Sequence, residues 1–162
     1  MSDLLNGRLA LVTGAGSGIG EATAHAMAKA GARIIIADID ERAAQRAAMA
    51  IGGRAASFAC DVTDRAGCDG LAASIRSRIG PISILVNNAG IIRRGTVMAA
   101  STRDDWDATL AVNLDGPYNM VTAFLEQLRE TKGSIVNIGS IQSFVALRTP
   151  LPTRPRRAAC AC

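Results

Sequence analysis

The chain has 162 residues, of which 49% are hydrophobic, and this is sufficient for one domain with a buried core. Its formal net charge is +4 at pH 7, but Arg154, Arg156 and Arg157 all follow Pro150, so residues 1–150 are nearly neutral and do not indicate a nucleic-acid partner. No apolar stretch is long enough to cross a membrane and none resembles a signal peptide, so we expect a cytoplasmic protein with no membrane partner.

Apolar segments typical of buried strands alternate along the chain with helical patterns. Strands are predicted at residues 9–13, 33–38, 56–60, 82–87 and 134–140. Helices are predicted at residues 19–30, 40–51 and 64–79, and a further helical region begins at Ser101 and either breaks near Gly116 and Pro117 or continues through them. This alternation predicts βαβ units and therefore an α/β fold with a parallel sheet.

A glycine-rich segment joins the first predicted strand to the first predicted helix. It reads Thr13-Gly14-Ala15-Gly16-Ser17-Gly18-Ile19-Gly20. Glycines allow a pyrophosphate to approach the backbone, and the amino end of the following helix offers unpaired N–H groups. We interpret the segment as a phosphate-binding loop of a dinucleotide site, the alternative being a plain tight turn.

Asp38 ends the second predicted strand, eighteen residues after Gly20. A carboxylate at this point can accept hydrogen bonds from both hydroxyls of an adenosine ribose, and it would repel a 2′-phosphate. Ser17 and Ile39 supply no cation for such a phosphate. The sequence therefore predicts NAD as the cofactor in preference to NADP, unless Asp38 is merely a solvated residue at a strand end.

Further motifs follow the later strands in chain order. They are Asp61-Val62, Asn87-Asn88-Ala89-Gly90, Asn113 within a helix, and Ile138-Gly139-Ser140. Together with the glycine loop, they resemble the short-chain dehydrogenase/reductase family over nearly the whole of residues 1–150. The resemblance implies a Rossmann-type doubly wound parallel sheet, truncated after the fifth strand. Residues 1–150 would then form an incomplete NAD(P)-binding domain, and residues 151–162 a tail unrelated to the family.

The resemblance also implies roles for single residues. Asp61 and Val62 would hold the adenine ring, while Asn88, Ala89 and Gly90 would steady the sheet and line the nicotinamide side. Asn113 would hold a water of the proton relay, and Ser140 would polarise the substrate oxygen. Without the resemblance, Asn113 and Ser140 are an ordinary polar helix residue and a serine at a strand end.

The family's proton donor is a Tyr thirteen residues after this serine, and a Lys four residues later lowers its pKa. Thr153 and Arg157 stand at those positions, and Tyr118 is followed four residues on by Thr122, so the pair has not moved elsewhere. A threonine hydroxyl is too weak an acid to replace the phenol, so we expect little or no turnover.

Some synonymous codons for residues 152–162, read one base earlier, encode Tyr-Thr-Ala-Ala-Lys, so we hypothesise a frameshift between Ser140 and Pro152. A natural short form is the alternative, and sequencing the coding DNA distinguishes them.

The activity implied by the resemblance is NAD(H)-dependent interconversion of a secondary alcohol and a ketone. The substrate would be a small molecule of sugar-acid, polyol or 3-hydroxyacyl type, and Arg93 and Arg94 either meet it or are solvated loop residues. The alternative function is a non-catalytic NAD-binding or interaction protein. Intact members of the family are commonly homo-oligomers.

The four cysteines do not indicate a disulfide framework or a metal site. Cys60 and Cys68 lie eight residues apart without a second Cys or His pair, and Cys160 and Cys162 belong to the tail. We expect reduced thiols. The single histidine, His25, lies in an alanine-rich helical segment and is interpreted as a packing residue.

Overall fold

The computed structural model of the protein describes residues 3–93 and 102–140. Arg94, Ser101, the positions of Thr153 and Arg157, and the 151–162 tail lie outside the described residues.

Strands and helices alternate throughout the described chain. The strands are β1 (Leu9–Thr13), β2 (Arg33–Asp38), β3 (Ala55–Ala59), β4 (Ile84–Asn87) and β5 (Ser134–Asn137). The helices are α1 (Gly18–Lys29), α2 (Glu41–Ile51), α3 (Arg65–Arg78), α4 (Thr102–Leu110) and α5 (Gly116–Glu130), with a π-helical turn (Ala111–Asp115) between the last two.

The five strands form one parallel sheet in the order β3-β2-β1-β4-β5. The order reverses at β1, with Leu11 opposite both Ile35 and Leu85. The α/β, Rossmann-type doubly wound fold predicted from the sequence is confirmed. In such sheets ligands bind outside the carboxyl ends of the strands, at the point where the order reverses.

Alternate side chains of the central strands β1, β2 and β4 enter separate cores on the two faces of the sheet. On one face Leu11, Ile35 and Leu85 pack with side chains of α3 and α5, including the fully buried Phe124. On the other, Val12, Ile36 and Val86 pack against the small side chains of α1 and α2. The continuous apolar runs of the central strands follow from burial on both faces.

Two predicted strands are longer than the observed ones, and both differences follow from the hydrogen-bonding partners of the strand ends. The prediction placed Ile138, Gly139 and Ser140 in β5, but the strand ends at Asn137. Its partner strand β4 ends at Asn87, and Asn87 and Asn137 form the last residue pair between the two strands. Ile138 still donates its N–H to the Asn87 carbonyl, at 2.9 Å, and the ladder ends there. The second difference is the start of β4, which was predicted at Ile82 and lies at Ile84. The Ile82 N–H donates to the side chain of Gln127, at 3.1 Å, and not to a neighbouring strand.

The helical region continues through Gly116 and Pro117, which settles the alternative left open by the sequence. Pro117 has no N–H to donate, so a regular α-helical ladder cannot pass it unchanged. The π-helical turn directly before it accommodates the missing donor: the Gly116 N–H donates to the carbonyl of Ala111, five residues back instead of four. Such single π turns are frequent at functional sites.

No helix in residues 3–93 or 102–140 is both long enough and apolar enough to cross a membrane.

Candidate nucleotide-binding site

A cavity of about 370 Å³ lies at the carboxyl ends of the central strands. It is open on one side and bounded by the loops that follow β1, β2, β3 and β4. Its lining residues are Gly14, Ser17, Gly18, Ile19, Asp38, Ile39, Cys60, Asp61, Val62, Asn88, Ala89, Gly90, Ile91 and Val112.

Ten of the predicted site residues line this one cavity, although they come from four separate segments of the sequence. Gly16, Gly20, Asn113 and Ser140 do not line it. Gly16 and Gly20 instead contact residues that do line the cavity. The Gly16 N–H donates to the Asp38 carboxylate, and Gly20 packs against Asn88.

The glycine loop is attached to the loop after β4 by the side chain of Asn88. Its amide nitrogen donates to the carbonyls of Thr13, at 3.0 Å, and Gly14, at 2.9 Å. In return the Thr13 hydroxyl accepts from the backbone N–H groups of Asn88 and Ala89, both at 3.1 Å. These bonds fix the two loops as one unit.

Gly14 is a position in this unit where only glycine fits. Its φ is +59°, and a Cβ placed there would lie 2.8 Å from the Cα of Ala89. Both the backbone conformation and the close approach of the second loop therefore exclude a side chain.

Asp38 connects β2 to the glycine loop through its carboxylate. One oxygen accepts from the Gly16 N–H at 2.9 Å, and the other accepts from the Asp40 N–H at 3.0 Å. The negative charge is thereby held at the cavity wall. Of the described residues that line the cavity, none is a Lys or Arg.

The loop after β3 presents Asp61 and Val62 to the same cavity. Oδ1 of Asp61 accepts from both the N–H (2.9 Å) and the hydroxyl (2.8 Å) of Thr63. Oδ2 accepts no hydrogen bond from the described residues, which leaves an acceptor for a ligand. The Val62 side chain is buried, at 7% exposure, but still contributes to the lining.

Asn113 lies in the π-helical turn and holds the loop after β4. Its side-chain oxygen accepts from the Ile91 N–H at 2.8 Å, and its amide nitrogen donates to the Ile91 carbonyl at 2.9 Å. Both polar atoms of the Asn113 side chain therefore hold the backbone of Ile91, which directly follows Gly90. Ser140 is half-buried, three residues beyond the end of β5.

Cys60 and Cys68 are free thiols, and Cys160 and Cys162 lie outside the described residues. The hydrogen bond between Cys60 and Cys68, followed by burial and by the charges of Asp61 and Asp64, raises the pKa of Cys60 well above its ordinary value. Cys60 therefore remains a protonated, weakly reactive group at neutral pH. Within the described ranges, no three His, Cys, Asp or Glu side chains are grouped as a metal site would require.

Sequence reasoning missed several residues at this site. Ile39 and Cys60 line the cavity as immediate neighbours of Asp38 and Asp61, so their position next to a predicted site residue is a usable signal. Ile91 and Val112 carry the same signal, since Ile91 directly follows Gly90 and Val112 directly precedes Asn113, both of which are predicted site residues.

Comparison with known proteins agrees with this fold. The sequence profile of the short chain dehydrogenases matches residues 8–149, and the chain belongs to that family. It is 43% identical over 147 residues to D-threitol dehydrogenase of Mycolicibacterium smegmatis, and the matched region covers 88% of this chain and 56% of that protein. It is 36% identical over 140 residues to 2,3-dihydro-2,3-dihydroxybenzoate dehydrogenase of Bacillus subtilis, covering 84% of this chain and 53% of that one.

A solved structure is similar as well. The gluconate 5-dehydrogenase of Burkholderia cenocepacia, in complex with NADP and tartrate, superposes with a TM-score of 0.87 at 39% identity, covering 98% of this chain and 62% of that one. The chain thus spans between about half and two-thirds of the length of these relatives.

Proposed function

We propose that the cavity binds NAD(H), and that the chain derives from an oxidoreductase that interconverts a secondary alcohol and a ketone. The observation that carries the proposal is the convergence on one cavity of the glycine loop, the β2 carboxylate and the loops after β3 and β4. The residue pattern assigned phosphate and ribose contacts to the first two of these segments, and the family resemblance implied adenine and nicotinamide contacts for the other two.

The pyrophosphate would lie against the start of α1. That helix begins at Gly18, and its N-cap, Ser17, makes no side-chain capping bond, so N–H groups of the first turn remain for a ligand. Ser17, Gly18 and Ile19 all line the cavity. The bare backbone of Gly14 allows close approach on the same side.

Asp38 supports NAD over NADP. Its carboxylate would accept hydrogen bonds from the adenosine ribose hydroxyls, and a 2′-phosphate would be placed beside this charge with no Lys or Arg among the described lining residues. The Burkholderia relative holds NADP, so family membership alone does not decide between the two coenzymes. The charge at position 38 is what favours NAD here.

The adenine ring would contact the loop after β3, and the nicotinamide ring the loop after β4. Oδ2 of Asp61 is available to accept from the adenine amino group. Asn88, Ala89 and Gly90 line the same cavity on a loop that Asn113 fixes through Ile91. Bound nicotinamide would exchange a hydride with the substrate carbon, while Ser140 would orient the substrate oxygen.

Proton transfer is where we expect this chain to fail. Thr153 and Arg157 occupy the positions of the family's Tyr and Lys. Positioned acid–base catalysis contributes about 10²–10⁴-fold to a rate, and a threonine hydroxyl cannot supply it near neutral pH. We therefore propose coenzyme binding with little turnover, which makes a non-catalytic NAD-binding protein the second candidate function.

The substrate of the parent activity would carry adjacent hydroxyl groups. Threitol, a dihydroxylated dihydrobenzoate and gluconate, named for three relatives, share that feature. This supports a polyol or sugar acid over a 3-hydroxyacyl compound. Arg93, exposed after β4, would meet the acidic group of a sugar acid.

Coenzyme titration combined with a turnover assay tests the proposal. We expect saturable NADH binding by calorimetry and weaker NADPH binding. Oxidation of threitol should be at least about a hundredfold slower than by the full-length Mycolicibacterium enzyme, and oxidation of gluconate similarly slower than by the full-length Burkholderia enzyme. Absence of NADH binding would refute the assignment of the cavity. Turnover comparable to the full-length enzyme would refute the proposed impairment.

A further inference from the structure

We propose that Asn119, in helix α5, is a positioning residue for the adenine end of the coenzyme site, acting through the backbone of Val62. The inference rests on the proposed NAD(H) binding. Asn119 does not line the cavity, and its influence would pass through the loop after β3.

Asn119 reaches this loop by a buried hydrogen bond. Its side chain is 8% exposed, and its amide nitrogen donates to the Val62 carbonyl at 3.0 Å. The Cys68 thiol also points at this carbonyl, at 3.7 Å, but a thiol is a weak donor. Asn119 is the one nitrogen donor to the Val62 carbonyl among the described residues, so its loss would leave that buried oxygen poorly satisfied.

A second contact fixes Val62 against the same helix. Gly116, one turn before Asn119, approaches so closely that a Cβ there would lie 2.7 Å from Cγ2 of Val62. The start of α5 therefore fixes both the side chain and the carbonyl of Val62. This contact is independent of the hydrogen bond.

The position of Val62 determines that of Asp61. The Val62 carbonyl belongs to the peptide group that also contains the Thr63 N–H, and that N–H donates to Oδ1 of Asp61 at 2.9 Å. A rotation of this peptide would move the Thr63 donor and turn the Asp61 carboxylate. Asn119 thereby sets which way Oδ2 of Asp61 faces in the cavity.

Gln127 provides a matched control in the same helix. It is 4% exposed, its amide nitrogen donates to the Ala72 carbonyl at 2.9 Å, and its oxygen accepts from Ile82 at 3.1 Å. These contacts lie toward the amino ends of the strands, away from the cavity. Gln127→Leu removes a buried amide of the same kind without touching the coenzyme loops.

The test compares coenzyme fragments. Titrations of NADH, ADP-ribose and reduced nicotinamide mononucleotide are made with the unaltered chain and with Asn119→Leu, Asn119→Ser and Gln127→Leu, below each variant's unfolding temperature. We expect both Asn119 variants to weaken ADP-ribose and NADH about tenfold and to leave the mononucleotide within about twofold. Gln127→Leu should lower the unfolding temperature and leave all three affinities unchanged. The Ser variant retains a polar group and covers the case in which the Leu variant does not fold.

Two outcomes contradict the inference in different ways. If the unaltered chain binds ADP-ribose and either Asn119 variant binds it equally well, Asn119 is only structural. The same conclusion follows if the Asn119 variants and Gln127→Leu all weaken the three ligands alike. If the unaltered chain binds neither NADH nor ADP-ribose, the proposed function fails and the inference fails with it.

Discussion

Asp38 combines a structural and a proposed functional contribution in one carboxylate. It accepts from Gly16 in the glycine loop and from Asp40 at the start of α2, and it faces the cavity. Its place at a strand end after a glycine loop was readable from the sequence. Its bond to Gly16 was not, because that contact depends on how close the loop comes to β2.

Replacing the charge at this position should change coenzyme preference. In Asp38→Asn, an oxygen remains for one of the two backbone donors, while the repulsion of a 2′-phosphate and the charged acceptor for ribose hydroxyls are lost. We expect NADH affinity to fall about tenfold and the NADH/NADPH affinity ratio to fall with it, as measured by calorimetry.

Asp40→Asn is the control for this substitution. The Asp40 side chain caps α2 by accepting from Ala43 at 3.0 Å, and Asn caps a helix as well as Asp does. This variant removes a nearby charge and should leave the coenzyme ratio unchanged. An equal change in both variants would mean that net charge, not the Asp38 contact, sets the preference.

At the scale of elements, the site depends on two loops that are bonded to each other before any ligand binds. The loop after β1 and the loop after β4 are joined through Asn88 and Thr13. At Gly14 the backbones of the two loops come so close that a Cβ would lie 2.8 Å from the Cα of Ala89. A side chain there would separate the loops.

Gly14→Ala is therefore expected to destabilise the fold. A residue other than glycine at positive φ costs about 1–3 kcal/mol, and the contact with Ala89 adds to this. Urea denaturation should show a lower free energy of unfolding by about that amount or more. Gly53→Ala is the control, since no atom lies within 4 Å of a Cβ placed there. Equal stability of the two variants would contradict the close packing of the loops.

The α4–α5 helical unit shows what element-level reasoning could and could not predict. The sequence predicted a helix here and left open whether Gly116 and Pro117 end it. The π-helical turn could not be read from periodicity, because a proline can either end a helix or be accommodated in it, and the contacts of Gly116 with Val62 and of Asn113 with Ile91 form only in the folded chain. Asn119 gave no signal for the same reason: its partner lies 57 residues away in the sequence.

At the scale of the whole molecule, the described sheet is unequally covered. The central strands are buried on both faces, whereas all four residues of β5 are exposed, including Ile135 at 41% and Val136 at 45%. An edge strand with exposed apolar side chains is a template for pairing with another chain. We expect concentration-dependent association through this edge.

A charge on the β5 edge should reduce that association. Lys on an edge strand opposes pairing, so Val136→Lys should shift light scattering toward the monomer mass and leave NADH affinity unchanged. Met49→Lys is the control, because Met49 is 76% exposed on α2, near the opposite edge of the sheet. If Met49→Lys reduces association equally, added net charge is the cause and the β5 edge is not the interface.

The sequence by itself determined the fold class, the family and most of the residues that line the cavity. Those properties are encoded locally, in apolar runs, in the glycine loop and in short motifs placed directly after strands. Only the tertiary structure decided the end of β5 at Asn137, the continuous helix through Gly116, and the attachment of the adenine loop to Asn119. Each of these depends on a partner distant in sequence, and pairing, packing and hydrogen-bonding partners are fixed only when the folded chain brings them together.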